Sequence, residues 1–184
     1  MGNYFANTKI LCEVLTEDAK NIASSHDFGN DVIPAMIRGG LGVYVYNFDE
    51  NKVPDQAKPY WVDVGTISSY HQANMDLAGE NPKLNLYSDK WSIMTPPDKE
   101  PPAKSARRSI VEYSLLSGGY ILDGTSVFHS VLGRRVVANF GSKIEECVLF
   151  DGVIIGEGAK VFRAILCENV IIPPQAKVGF SKED

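Results

Sequence analysis

A chain of 184 residues, 44% apolar and 22% charged, has room for one or two globular domains and does not have a disordered composition. Its 16 glycines and 10 prolines follow no G-X-Y period, which excludes collagen. No 18-residue apolar run is present to span a bilayer, and no basic, apolar, small-residue leader opens the sequence, so no membrane association is expected. Three cysteines, Cys12, Cys147 and Cys167, lack CxxC spacing and point to a reduced, cytoplasmic protein. The net charge of −5 is uneven: residues 1–82 hold 5 basic and 11 acidic groups, residues 83–184 hold 13 and 12. Neither half offers the basic face that nucleic acid requires, and the shift marks the halves as different objects.

In the first half strands alternate with helices. Tyr4-Phe5-Ala6 reads as a short strand. Asn7 or Thr8 caps a helix with Ile10, Leu11, Val14 and Leu15 on one face. Asn30 or Asp31 caps a second, with Pro34 in its first turn, Val32, Ile33, Met36 and Ile37 buried, and Gly39-Gly40 as its stop. Val43 to Phe48 and Tyr60 to Val64 read as further strands. After Gly65, Thr66 caps a third helix that buries Ile67, Tyr70 and Leu77. Such alternation predicts an α/β sheet. Pro96, Pro97, Pro101 and Pro102 then mark an extended linker, assigned to residues 95–108, between a first domain over 1–94 and a second over 109–184.

Helical spacing disappears beyond Ser109. Aliphatic residues followed by Gly or Pro recur (Leu132-Gly133, Ile155-Gly156, Ile172-Pro173), with steps of six or twelve such as Ile155 to Val161 and Leu132 to Ile144, and with slips of one such as Ile144 to Ile155. A six-residue period predicts a β-solenoid with three hexads per turn and about four turns. A small β-sandwich also accommodates short strands with glycines, but the period favours the solenoid.

These segments resemble bacterial ADP-glucose pyrophosphorylases (glucose-1-phosphate adenylyltransferases). Ser24-Ser25-His26-Asp27-Phe28-Gly29-Asn30-Asp31-Val32-Ile33-Pro34 is similar to that family's S-S-H-D-F-G-K-D-I-I-P segment. Pro59-Tyr60-Trp61-Val62-Asp63-Val64-Gly65-Thr66 resembles P-Y-W-R-D-V-G-T, Ala73-Asn74-Met75-Asp76-Leu77 resembles A-N-x-D-L, and Pro101-Pro102-Ala103-Lys104 with Ser117-Gly118-Gly119 resembles the entry to the C-terminal β-helix. The resemblance runs in order over essentially the whole chain. It implies the C-terminal part of a Rossmann-like nucleotidyltransferase domain followed by a left-handed parallel β-helix. The family's Gly-rich G-G-x-G-T-R-L loop, its E-K segment and its first metal-binding Asp have no counterpart here. The resemblance therefore implies a part of the enzyme that is inactive by itself.

In the family, glucose 1-phosphate attacks the α-phosphorus of ATP and expels pyrophosphate, with two carboxylates holding Mg²⁺. Asp63, at the end of an apolar segment and beside Gly65, fits one carboxylate, a catalytic and metal-binding role. The simpler reading is a cap on the helix that Thr66 starts. His26 and Asp27 are implied to shape the sugar pocket, or else form a turn and helix cap. Asn30 and Val62 stand where the family usually has Lys and Arg. His71 is expected to be solvated. His129 evokes the β-helix histidine of hexapeptide acyltransferases, although a lone His is weak support for general-base work. Arg107-Arg108 and Arg134-Arg135 are either anion sites or solvated charge. The family's β-helix builds the tetramer and helps to bind anionic effectors. Glu168 occupies the usual basic effector position, which leaves Lys160 and Arg163 as the effector candidates. Three readings compete: the enzyme's C-terminal part, a non-catalytic assembly module that docks on active subunits, and an acyltransferase. The small first domain with bare strand edges predicts a homo-oligomer.

Overall fold

A computed structural model describes residues 2–95 and 99–180, which form two compact units, one through Phe48 and one from Asp49 onward. Pro96 and Pro97 of the expected linker lie outside the described residues.

The first unit is built on two helices. Asn7 caps α1 (Thr8–Asp18), its side-chain oxygen accepting from the Lys9 and Ile10 amides at 3.1 and 3.3 Å. No α1 residue is buried, so its apolar face stays partly open. The second cap is Asp27 rather than Asn30 or Asp31: Oδ1 of Asp27 accepts from the Asn30 amide at 2.7 Å. A widened turn over Phe28–Val32, with the Val32 amide reaching the Asp27 carbonyl, then leads into α2 (Ile33–Arg38). Val32 is fully buried, whereas Ile37 faces outward. Gly40, at φ +73°, lets the chain leave the helix, where a β-carbon would be strained.

The three strands expected in the first half are not formed. Tyr4–Ala6, Val43–Phe48 and Tyr60–Val64 are extended or turned but enter no sheet among the described residues, and Phe48–Glu50 closes into a 3-10 turn. Apolar alternation is necessary for a strand but not sufficient, because a strand exists only through a ladder with a neighbour. Among the described residues no strand lies alongside these segments. Tyr44 and Val45 are accordingly almost fully exposed.

The second unit holds α3 (Ile67–Ala78) and a parallel β-solenoid. Coil one comprises β1 (Lys104–Ala106), β2 (Ile110–Glu112) and β3 (Leu115–Leu116). Coil two comprises β4 (Ile121–Asp123), β5 (Ser126–Phe128) and β6 (Val131–Leu132). Coil three comprises β7 (Val137–Ala138), β8 (Lys143–Glu145) and β9 (Val148–Leu149). Coil four comprises β10 (Ile154–Ile155), β11 (Lys160–Phe162) and β12 (Ile165–Leu166). A fifth begins with β13 (Ile171–Ile172) and β14 (Lys177–Val178). Strands of successive coils stack into three sheets, β1-β4-β7-β10-β13, β2-β5-β8-β11-β14 and β3-β6-β9-β12. β1 starts within the stretch assigned to the linker because its ladder with β4 already begins at Lys104.

The coil is shorter than three hexads. Ile154 pairs with Val137 on one side and Ile171 on the other, steps of 17 residues, and Ile121 pairs with Val137, a step of 16. The slips of one in the sequence are one tight corner per coil, as between Ile144 and Leu149. That corner turns on a non-glycine residue at positive φ: Tyr113, His129, Glu146 and Arg163 lie at +44° to +50°. Inward columns of Leu122, Val127, Leu132, Ile144, Leu149, Ile155 and Val161 form a continuous buried core. The glycine after the inward aliphatic residue is also explained. A β-carbon on Gly156 would lie 2.4 Å from the Pro174 nitrogen of the next coil, and one on Gly133 2.8 Å from the Asp151 nitrogen.

Serine hydroxyls satisfy corner amides. The Cys147 amide donates to Ser130 Oγ at 3.0 Å, and the Ser130 amide to Ser114 Oγ at 3.1 Å. Burial pushes the Cys147 thiol up to about 11. Cys12 and Cys167 are exposed.

Leu132→Ala should cost about 2–5 kcal/mol in urea unfolding. Gly156→Ala should destabilise by at least as much as a typical core truncation, about 2 kcal/mol, because the clashing atom is backbone. Ellman's reagent should titrate two thiols in the native protein and the third only after denaturation. Because the folded Cys147 value lies above the unfolded one, its neutral-thiol contribution is complete below the ordinary thiol range and is lost as pH rises toward 11. A pH series of unfolding midpoints reads this directly.

Candidate functional site

Asp63 sits on the extended segment that runs into α3, with its side chain exposed. Its Oδ1 accepts from the Gly65 amide at 3.0 Å, closing a small side-chain turn. A β-carbon at residue 65 would come within 3.3 Å of that oxygen, so glycine gives the carboxylate room. Thr66 then caps α3: its Oγ1 accepts from the Ser69 amide at 3.1 Å, and Ser69 Oγ accepts from the Thr66 amide at 3.1 Å, a reciprocal capping box. Asp63 is thus held by the turn just ahead of the cap, while the cap itself is Thr66.

Of the expected apolar stripe, Tyr70 and Leu77 are half-buried, while Ile67 in the first turn is left outside. Ala73, Met75 and Ala78 are buried, whereas Ile67 is 81% exposed. The buried face lies against the solenoid. α3 contacts β6, and the Tyr70 ring meets Phe150 edge-on at 6.3 Å. Two histidines complete the seat. His71, expected in solvent, is half-buried, with Nε2 donating to the Glu146 carbonyl at 2.7 Å. His129 Nε2 donates to the Met75 carbonyl at 2.9 Å. In each case a carbonyl can only accept, so the ring nitrogen is the donor. Sequence reasoning missed both contacts because they join residues 75 and 54 positions apart. Tyr60, on the Asp63 segment, has its phenol pushed up by burial first and then by the Asp76 charge of α3.

In the other unit His26 and Asp27 belong to one polar knot. His26, at φ +60°, brings Nδ1 to 2.7 Å from Asp18 Oδ2, and its amide donates to Ser24 Oγ. Asp27 is the helix cap already described, and its amide donates to Asp31. The Ser24 hydroxyl, then His26, holds the Asp18 carboxyl below its ordinary value. Asp31 is lowered chiefly by the Ser25 hydroxyl. Both carboxylates are thereby kept as acceptors that fix the loop.

Lys160 is exposed on β11 and in register with Lys143 on β8 and Lys177 on β14, three ammonium groups on one sheet face. The sequence signal was available as a 17-residue lysine spacing, legible only once the coil length is known. Arg163 occupies the tight corner, pairs with Glu146 at 3.2 Å and lies over the Phe162 ring at 5.9 Å. Glu168 is exposed. Arg134 pairs with Asp151 at 2.6 Å and Arg135 with Glu100, so acidic groups already face these cations. Arg134 holds the Asp151 carboxyl below its usual range.

Among the described residues no group of three or more His, Cys, Asp or Glu gathers into a metal-sized cluster, and no helix is long and apolar enough to cross a membrane. Asp63 presents one exposed carboxylate, which by itself is not a site for Mg²⁺. Thr66→Ala should cost about 1 kcal/mol in urea unfolding, the usual worth of such a cap.

A family model described as nucleotidyl transferase matches residues 1–80, and one described as a GlmU-like C-terminal hexapeptide region matches residues 96–184. A glucose-1-phosphate adenylyltransferase of Trichlorobacter lovleyi is 42% identical over 192 residues, covering 100% of this chain and 46% of the relative. Those of Thermus thermophilus and Deinococcus radiodurans are 44% and 38% identical over 190 residues, again covering 100% of this chain and 46% of each relative. The chain thus spans under half the length of the curated relatives it matches. Over that span, in which helices and extended segments precede a parallel β-solenoid, it belongs to the glucose-1-phosphate adenylyltransferase family.

Proposed function

We propose that this chain is the C-terminal part of a glucose-1-phosphate adenylyltransferase. The complete enzyme would join ATP and glucose 1-phosphate to give ADP-glucose and pyrophosphate. Asp63 would supply one of the carboxylates for a divalent cation, Mg²⁺, and His26 and Asp27 would shape the sugar side of the pocket. The observation that carries the reading is the placement of Asp63: an exposed carboxylate on a glycine turn directly ahead of a capped helix, where a phosphate-bound cation can approach. With a single carboxylate the described residues do not complete a metal site, so no chemical step is assigned to them. The division at the proline-rich stretch then separates the end of the catalytic domain from the solenoid. A cytoplasmic location fits substrates of this kind.

The 184-residue chain is expected to bind Mg²⁺ only weakly in calorimetry and to show no ATP–pyrophosphate exchange. Tight stoichiometric Mg²⁺ binding, or robust exchange by the chain alone, would refute the reading. Asp63→Asn should leave the unfolding midpoint within about 0.5 kcal/mol of the parent, since an amide oxygen still accepts from Gly65. In a full-length enzyme carrying the same segment it should lower exchange by about 10² or more.

The solenoid is proposed to carry assembly and effector binding. Ile121, Ile154 and Ile171 form an exposed aliphatic row on one sheet face, which favours a homo-oligomer. The lysine column favours an anionic effector at Lys160. Lys160→Gln should weaken inorganic phosphate binding in calorimetry, and Arg163→Gln should weaken it less because Glu146 already pairs that cation.

A further inference from the structure

α3 and the tight solenoid corner present groups at comparable but unequal spacings. His71 and Met75 stand one helical turn apart, about 6 Å along the axis. Glu146 and His129 occupy the same corner position in adjacent coils, about 4.8 Å apart. The coils are tied there by the Glu146 amide donating to the Phe128 carbonyl at 3.1 Å. The two histidine bonds cross between these pairs. His71 of the helix donates to the corner carbonyl of Glu146, and His129 of the corner donates to the helix carbonyl of Met75. The Met75 carbonyl is one of the last four of α3, which lack a partner inside the helix. A slide of α3 by one coil would break both bonds and leave that carbonyl unpaired.

Asp63 depends on this seat. Its segment, Tyr60–Val64, enters no sheet ladder among the described residues. It is tied on its C-terminal side through Gly65 and the Thr66 box to α3. Glu146 also carries the Arg163 ion pair on its side chain while its carbonyl holds His71. A change at that outer cation therefore reaches the helix through a single residue.

We propose that the His129–Glu146 corner of the solenoid sets the position of the Asp63 carboxylate through α3, with His71 and His129 as positioning residues. The solenoid is then part of what aims the site. The inference adds to the proposed role of Asp63 but is tested without nucleotide, metal or turnover, so the two fail separately.

Trp61, two residues from Asp63, becomes the single tryptophan reporter in a Trp91→Phe background of the 184-residue chain. His71→Phe and His129→Phe should each lower Trp61 fluorescence anisotropy and shift its emission. They should also speed amide hydrogen exchange in α3 by about tenfold or more while the solenoid core amides keep their protection. His71→Gln and His129→Gln, which retain an N–H donor, should restore much of the anisotropy, which a merely space-filling role would not predict. Faster α3 exchange with an unchanged Trp61 signal would overturn the proposal, as would α3 exchange that the Phe variants do not alter. If the Phe variants lose the solenoid fold, long-range ¹H–¹⁵N spectra of the unsubstituted chain decide. Both rings should carry the proton on Nε2, and an unprotonated Nε2 on either would overturn the clasp.

Discussion

Backbone pairing between successive coils, at intervals of 16 to 17 residues, is the constraint on which the second unit depends. Each ladder bond holds a strand only because the next coil places its own strand alongside, and the same spacing stacks Leu132 on Leu149 and Ile144 on Val161. Neither the hydrogen bonds nor the apolar columns can form in a single coil. The close approach of coils explains why glycine follows the inward aliphatic residue at Gly133 and Gly156, and why serine hydroxyls fill the corner column where amides would otherwise be buried without an acceptor. The tight corner is the strained element. It is turned by His129, Glu146 and Arg163 in the left-handed region, where side chains other than Gly and Asn are disfavoured.

That corner is also where the helix is seated. α3 lies against β6 and reaches Phe150 just after β9, and Val148, an outward-facing residue of β9, is 2% exposed, against 36% for Ile154 on another sheet. The seat combines apolar cover by Ala73, Met75 and Ala78 with two directional histidine bonds, so it specifies register as well as contact. Asp63 is exposed just ahead of this helix, and its carboxylate charge is not used by the fold: the turn it closes requires only an oxygen acceptor.

The readable and unreadable parts separate by range. The caps Asn7 and Thr66, the stop at Gly39-Gly40 and the stacking aliphatic residues are local or periodic, and the sequence shows them directly. Asp27 is legible as part of a turn and cap, whereas Asn30 and Asp31 fail as caps because a widened turn, and not a regular first turn, begins the helix. The segments at Tyr4, Val43 and Tyr60 read as strands but are not, because their alternation records a preference that no neighbouring strand among the described residues satisfies. His71 reads as solvated, since its position off the apolar stripe says nothing about a solenoid corner 75 residues away.

By itself the sequence determined the order of the parts, the solenoid, the family likeness and the residue types at the Asp63 turn, since all of these are written in short motifs and repeats. Only the tertiary structure decided the 17-residue coil, the lysine column through Lys160, the exposure of Ile67 and the crossed histidine bonds. Each of these arises when residues far apart in the chain are stacked at a common spacing, and no local pattern encodes that distance.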